Sequence, residues 1–207
     1  MYLSRVEINK QRIETKRALM SPQIMHASIK ACFPKSDGRI LWRADTLGHN
    51  LYILIAAPIK PDFTDFIRQY GWPASGQTGE SGDYGQLLDR ITQDSVWRFR
   101  LTANPVHTVK GKIYAHVTAA HQRNWLLDRA ECNGFVLQGD ALDVVRRDTI
   151  RFHKGRGTER REVTLARASF EGVLTVRDAA LFKNALTQGI GRARAYGCGL
   201  LTVARLL

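Results

Sequence analysis

The chain is short of the residues that build several common kinds of site. Its 207 residues include three cysteines, Cys32, Cys132 and Cys198, far apart and outside any CxxC or Cys/His pairing. That pattern argues against a disulfide framework or a structural zinc site and fits a reducing cytoplasm. No apolar run approaches the ~20 residues that span a bilayer. No basic amphipathic helix carries an aromatic face either, so no membrane partner is expected. The opening Met1-Tyr2-Leu3-Ser4-Arg5-Val6-Glu7-Ile8 reads as a strand rather than a leader. Carboxylates are scarce, 19 in all, and the pairs Asp62/Asp65 and Asp140/Asp143 stand where helix starts and turns favour acidic residues. A two-metal centre needs several carboxylates converging on one point, so no metal is expected. There is no Walker motif and no GxSxG elbow, and Gly155-Arg156-Gly157 is too short for a dinucleotide fingerprint. No cofactor is expected.

What the chain has in excess is positive charge. Against those 19 acids stand 31 lysines and arginines, a net +12 with a pI near 10.1, on ordinary globular material that is 44% hydrophobic. Such a field attracts polyanions and speeds their association, which puts nucleic acid first among partners.

The order of elements predicts an α+β fold of two tandem ferredoxin-like (βαββαβ, RRM-like) domains, residues 1–103 and 104–207. In the first half, a strand at 2–8 precedes a helical stretch over 13–33, broken at Ser21-Pro22, with serine as N-cap and proline at the first helical position. Strands at 39–45 and 51–57 are joined by Gly48-His49-Asn50. Residues 61–70 place Phe63, Phe66, Ile67 and Tyr70 on one helical face. The glycines of 72–85 predict a mobile loop, and Trp97, Phe99 and Leu101 alternate as a closing strand. The second half repeats the order, with a strand near Val106, a helix at 118–130, strands at 135–152 and 163–176, a helix capped by Asp178, and a strand from Leu200. The halves share no evident sequence similarity.

Cationic residues cluster in three places. From Arg146 to Arg161 run Arg146, Arg147, Arg151, Lys154, Arg156, Arg160 and Arg161, opposed only by Asp148 and Glu159. A solvated hairpin is the bland alternative, but one sign dominates, and the segment reads as a phosphate-contacting β-arm with Gly155 and Gly157 at its tip. Lys110 and Lys112 around Gly111 form a smaller loop of that character. Between Gln188 and Leu201, Gly189, Gly191, Gly197 and Gly199 interleave with Arg192 and Arg194; a helix C-cap followed by a turn is the bland alternative, but the arginines and the overall charge favour a loop in which Gly189, Gly191, Arg192 and Arg194 grip a nucleic-acid backbone.

RNA carries its own nucleophile, the 2′-hydroxyl, so a protein without metals can cut it by moving protons. Histidine suits that task, and six compete: His26, His49, His107, His116, His121 and His153. On a helix from Pro22, Gln23, His26, Lys30 and Phe33 share one stripe, with Ile24, Ala27 and Ala31 on a neighbouring apolar face. His26 beside Lys30 is a candidate proton-transfer and charge-stabilising pair; an exposed structural histidine is the alternative. His107, His116 and His153 flank or lie in basic segments.

Met1-Tyr2-Leu3-Ser4-Arg5-Val6, Phe99-Arg100-Leu101-Thr102-Ala103-Asn104-Pro105, Phe170-Glu171-Gly172-Val173-Leu174-Thr175-Val176 and the loop from Gly189 to Leu201 together resemble the CasE-type endoribonucleases of type I-E CRISPR systems, in the RAMP superfamily. The resemblance implies two ferredoxin-like domains and metal-independent cutting of CRISPR repeat RNA at the 3′ base of its hairpin. It also implies retention of the mature guide RNA and assembly with other Cascade subunits. It places the family's catalytic histidine at His26. Some members carry a tyrosine where this chain has Gln23, and glutamine cannot exchange a proton near neutrality. Lys30, or Lys154 or Arg156 of the arm, then has to stabilise the transition state. A catalytically inactive RNA-binding subunit and a basic DNA-binding protein are the rival readings.

Overall fold

The structure, a computed structural model, describes residues 1–33, 38–155 and 161–206, with the backbone alone over 138–140. The chain divides into two compact units. The first comprises Met1–Gln86, Ile150–Thr164 and Ala195–Gly197; the second comprises Leu87–Thr149, Leu165–Arg194 and Cys198–Leu207.

In the first unit, β1 (Tyr2–Ile8) leads to two short helices, α1 (Ile13–Met20) and α2 (Pro22–Ala31). Pro22 stands at the start of α2 as the sequence predicts, because proline lacks the N–H that a first helical residue leaves unbonded. Ser21 precedes it, but its side chain makes no capping bond, and its carbonyl accepts from the amides of Ile24 and Met25 instead. β2 (Leu41–Leu47) and β3 (Asn50–Ala57) form a hairpin turned at Gly48. α3 (Thr64–Tyr70) follows, introduced by Asp62, whose carboxylate accepts from the Thr64 amide at 2.9 Å and its hydroxyl at 2.7 Å. These two bonds hold the Asp62 carboxyl below the usual carboxylate range. The helix start explains the acid without a metal.

The four-stranded sheet runs β2-β3-β1-β4, with all pairs antiparallel. Its β4 (Glu80–Asp83) lies within the segment expected to be a mobile loop. Glu80-Ser81-Gly82-Asp83 lacks branched or aromatic side chains and shows no alternation, so nothing local marks it as a strand. It is extended because β1 templates it, Tyr2 opposite Asp83 and Arg5 opposite Glu80. Ser4 and Ser81 share a hydroxyl bond of 2.8 Å, and Arg5 pairs with Glu80 at 2.9 Å. Val6, Ile8, Met25, Ile29, Ile53, Ile55, Phe66 and Tyr70 belong to one buried cluster.

After a single turn, α4 (Gly85–Leu88), the second sheet begins with β5 (Val96–Ala103). This strand was expected to close the first sheet, and it lies ahead of the expected 103/104 boundary. It pairs instead with β9 (Arg161–Val176) and β10 (Leu201–Arg205), Leu101 facing Phe170 on one side and Leu201 on the other. Alternation of Trp97, Phe99 and Leu101 identifies a strand but not its sheet; long-range partners decide that. The predicted strand near Val106 is half of a small hairpin of its own, β6 (Val106–Val109) with β7 (Lys112–Ala115). α5 (Ala119–Ala130), β8 (Phe135–Lys154), which belongs to this unit as far as Thr149, and α6 (Ala179–Gln188) follow, and the sheet order is β10-β5-β9-β8. Asp178 caps α6 by accepting from the Leu181 amide at 2.9 Å. Phe135 and Phe182 meet edge to face at 5.5 Å in its core.

Ile53 is completely buried at the centre of the first sheet. Ile53→Ala is expected to lower the unfolding free energy by about 2–5 kcal/mol, measurable by urea denaturation.

Candidate nucleic-acid interface

α2 is fastened by Pro22, Met25 and Ile29, all buried, with Cys32 and Phe33 continuing the apolar line past its end. Ala27 and Ala31, expected on the apolar face, are exposed instead, and Phe33 sits in the core rather than on the polar stripe. The helix is thus rotated from the expected setting, because the larger side chains Met25 and Ile29 gain more from burial than alanines do. Gln23 and His26 are left half-buried at its edge and Lys30 exposed. Nδ1 of His26 and Oε1 of Gln23 are shielded from solvent and have no hydrogen-bond partner among the described residues. Burial, and then the Lys30 charge, push the His26 pKa below its ordinary 6.5. Near neutrality the imidazole is therefore uncharged and able to accept a proton.

The basic arm is formed by the C-terminal part of β8 and the start of β9. Arg146, Arg147, Arg151, Lys154 and Arg161 are all exposed. Asp148, the nearby acid of this segment, is held bidentate by Arg167 at 2.7 and 2.8 Å, and Arg146 reaches it at 3.3 Å. Arg147 donates to the Val117 carbonyl at 3.3 Å. Arg151, Lys154 and Arg161 make no ion pair among the described residues. Buried Phe152 packs edge to face on Tyr196 at 4.9 Å and ties this part of the arm down. Arg156 and Arg160, together with Gly157 and Glu159, lie outside the described residues. Residues 150–164 belong to the same compact unit as α2, so His26 and Lys30 share it with Arg151, Lys154 and Arg161. Lys110, Lys112, Arg146, Arg147 and the residues from Gly189 to Arg194 belong to the other.

The glycine-rich loop is largely packed. The Gly189 amide donates to Ala185, that of Ile190 to Gly199, and that of Gly199 to Thr102, so backbone carbonyls already engage these donors. Arg194 is half-buried and donates to the Gly189 carbonyl at 2.9 Å. Gly191 has φ +82°, and a Cβ there would press on the Trp125 ring at 3.0 Å. Arg192 is the loop's exposed cation.

His107 and His116, expected only to flank a basic loop, belong to a cluster that the sequence pattern did not reveal. His107, His116 and His121 form a chain of ring contacts in the second unit. The available signal was the turn at Lys110-Gly111, which pairs residue 107 with 114 and brings 116 back alongside. Among the described residues no group of three or more His, Cys, Asp or Glu side chains is arranged to hold a metal ion. Among the described residues no helix is long and apolar enough to cross a membrane.

Residues 1–205 match the family model described as CRISPR associated protein. The chain belongs to this CRISPR-associated family. A relative, the CRISPR-associated endoribonuclease Cse3 of Thermus thermophilus, is 28% identical over 219 residues, covering 99% of this chain and all of that one. The CRISPR system Cascade subunit CasE of Escherichia coli is 32% identical over 121 residues, 52% of this chain and 57% of its own. A solved structure of CRISPR endoribonuclease Cse3 bound to a 19-nucleotide RNA superposes with a TM-score of 0.82 at 24% identity over 98% of both chains, which shows a shared fold.

The Lys30 charge contributes to the depressed His26 pKa. Lys30→Gln is therefore expected to move the His26 titration upward toward 6.5, followed by NMR of the imidazole C–H resonances across the pH range; an unmoved or lowered midpoint would contradict the coupling.

Proposed function

We propose that this chain is an endoribonuclease that cuts CRISPR precursor RNA at the 3′ base of its repeat hairpin and stays bound to the mature guide RNA. The observation that carries this reading is His26: an uncharged, half-buried imidazole with an unpartnered buried nitrogen, one helical turn from exposed Lys30. The names of the relatives, CRISPR endoribonuclease and Cascade subunit, support the substrate class and the assembly with other subunits. Each sheet has the strand order fourth-first-third-second, counting β5 as the first strand of the second sheet and leaving out β6–β7, and β1–β3, β1–β4, β2–β3, β5–β9 and β5–β10 pair antiparallel. That order supports two tandem ferredoxin-like domains.

The proposed chemistry needs only what RNA and these side chains supply. Neutral His26 accepts the proton of the 2′-hydroxyl as its oxygen attacks the adjacent phosphorus. The 5′-oxygen leaves and takes up a proton, and a 2′,3′-cyclic phosphate remains. Lys30, or Lys154 of the arm, places positive charge against the oxyanions that develop on phosphorus. Gln23 orients by hydrogen bonding and transfers no proton. No step calls for a divalent ion. Arg151, Lys154, Arg161, Arg146 and Arg147, with Lys110, Lys112 and Arg192, contact phosphates, and an A-form hairpin is recognised by its shape together with selected base edges.

Repeat RNA incubated in EDTA is expected to be cut, with a cyclic phosphate on the upstream product, and a single 2′-deoxy substitution at the scissile nucleotide should block cutting. His26→Ala should reduce the cleavage rate about 10²–10⁴-fold while binding persists. RNA bound but never cut would favour the inactive-subunit reading, and indifference to the 2′-deoxy group would exclude the hydroxyl mechanism. Lys154→Ala and Arg151→Ala should each weaken binding and flatten the slope of log affinity against log salt by about one; an unaltered slope would remove that residue from the phosphate contacts.

A further inference from the structure

The β6–β7 hairpin has two unlike faces. Its turn, Lys110-Gly111, has φ of +47° and +77°, the geometry of a tight two-residue hairpin turn, and glycine occupies the second of these positions. Register then assigns the side chains. His107 is directly opposite Tyr114, and Val109 is opposite Lys112. The His116 amide donates to the Pro105 carbonyl at 2.9 Å, continuing the ladder past the hairpin. Because strand side chains alternate, Lys112, Tyr114 and His116 share one face with His107. Ile113 and Thr108 occupy the other.

The first face carries a row of rings. His107 and Tyr114 stack at 5.9 Å and 29°, His107 and His116 lie 4.6 Å apart, and His116 reaches His121 of α5 at 5.9 Å. Tyr114 is 48% exposed, and His107 and His121 are exposed as well. None of the three imidazoles makes a side-chain hydrogen bond among the described residues. Lys110 and Lys112 stand exposed at the tip. Exposed flat rings beside cations, with polar nitrogens lacking partners, match the chemistry of an unpaired nucleotide. Its base offers a π-face only when it is outside a duplex, and its phosphate is an acceptor for N–H donors.

We propose that the Tyr114–His107–His116–His121 face, with Lys112, is a subsite for one unpaired nucleotide of the bound RNA, the base stacking on Tyr114 and His107 and the phosphate held by the imidazoles and Lys112. This rests on the RNA-binding reading above and extends it to single-stranded RNA flanking the hairpin. Occupancy is linked to protons. Three neighbouring imidazoles repel one another when charged. His116 is kept below its ordinary 6.5 by burial, then by His107 and His121, and by Arg129 on α5 against the weaker opposing pull of Asp128. A phosphate brought among them reverses that balance, so binding takes up protons and tightens as the pH falls.

The test is fluorescence anisotropy with the full chain at about pH 8 and about pH 6, either side of the imidazole range. The probes are the bare repeat hairpin, the hairpin with a single-stranded flank, and oligouridylate. The flank should add affinity, and more of it at the lower pH. Tyr114→Leu should weaken binding of the flanked RNA and of oligouridylate by about fivefold or more, the low end of what one stacked base contributes. His116→Gln should abolish the gain at low pH. Ile113→Thr, on the opposite face, should change neither. The proposal is overturned if Tyr114→Leu and His116→Gln bind both single-stranded probes as the unaltered chain does at both pH values. The two readings fail separately: a cut hairpin with indifferent variants removes the subsite alone, and an uncut hairpin with oligouridylate binding that depends on Tyr114 and on pH supports the subsite while removing the cleavage reading.

Discussion

Met25 and Ile29 are completely buried, and their packing sets the rotation of α2 about its own axis. Everything proposed about catalysis follows from that rotation. His26 follows Met25 by one residue, about 100° round the helix, which brings it to the border of the apolar face rather than inside it. Deeper burial would leave the imidazole unable to meet a substrate. Full exposure would leave it solvated, with less reason to be uncharged. At the border, desolvation and the neighbouring Lys30 together keep it neutral while its edge stays available.

The second determinant is an uneven distribution of acids. Asp148, the acid described within the arm, is claimed bidentate by Arg167, a partly buried partner in β9. Arg146 reaches it from farther away, and Arg151, Lys154 and Arg161 are left without an acidic partner among the described residues. Two arginines of the sheets, by contrast, are neutralised. Arg43 and Asp45 form a buried pair at 2.6 Å, and Arg100 pairs with Glu171 at 2.5 Å. Arg151, Lys154 and Arg161 thus offer a polyanion charges that no acid of the described residues competes for.

Legibility in the sequence followed the range of the forces involved. The break at Pro22, the Asp178 cap and the helix of Phe66, Ile67 and Tyr70 depend on neighbours within a turn or two, and the structure contains them. β4 has no such local basis and exists because β1 offers an edge. β5 was visible as a strand and misplaced as to sheet, since its alternation reads the same whichever partners it finds. The glycine-rich loop invited a phosphate reading from composition, yet several of its amides are engaged by backbone carbonyls. Charge counting cannot reveal which donors the fold has already satisfied.

By itself the sequence determined the excess of positive charge, the presence of most helices and strands, and the candidacy of His26 beside Lys30, because those follow from composition and short-range periodicity. Only the tertiary structure decided that α2 turns Ala27 outward, that β5 joins the second sheet, and that His107, His116 and His121 meet. Those outcomes depend on which side chains compete for the same buried volume and on pairings between residues distant in the chain, and no local pattern records them.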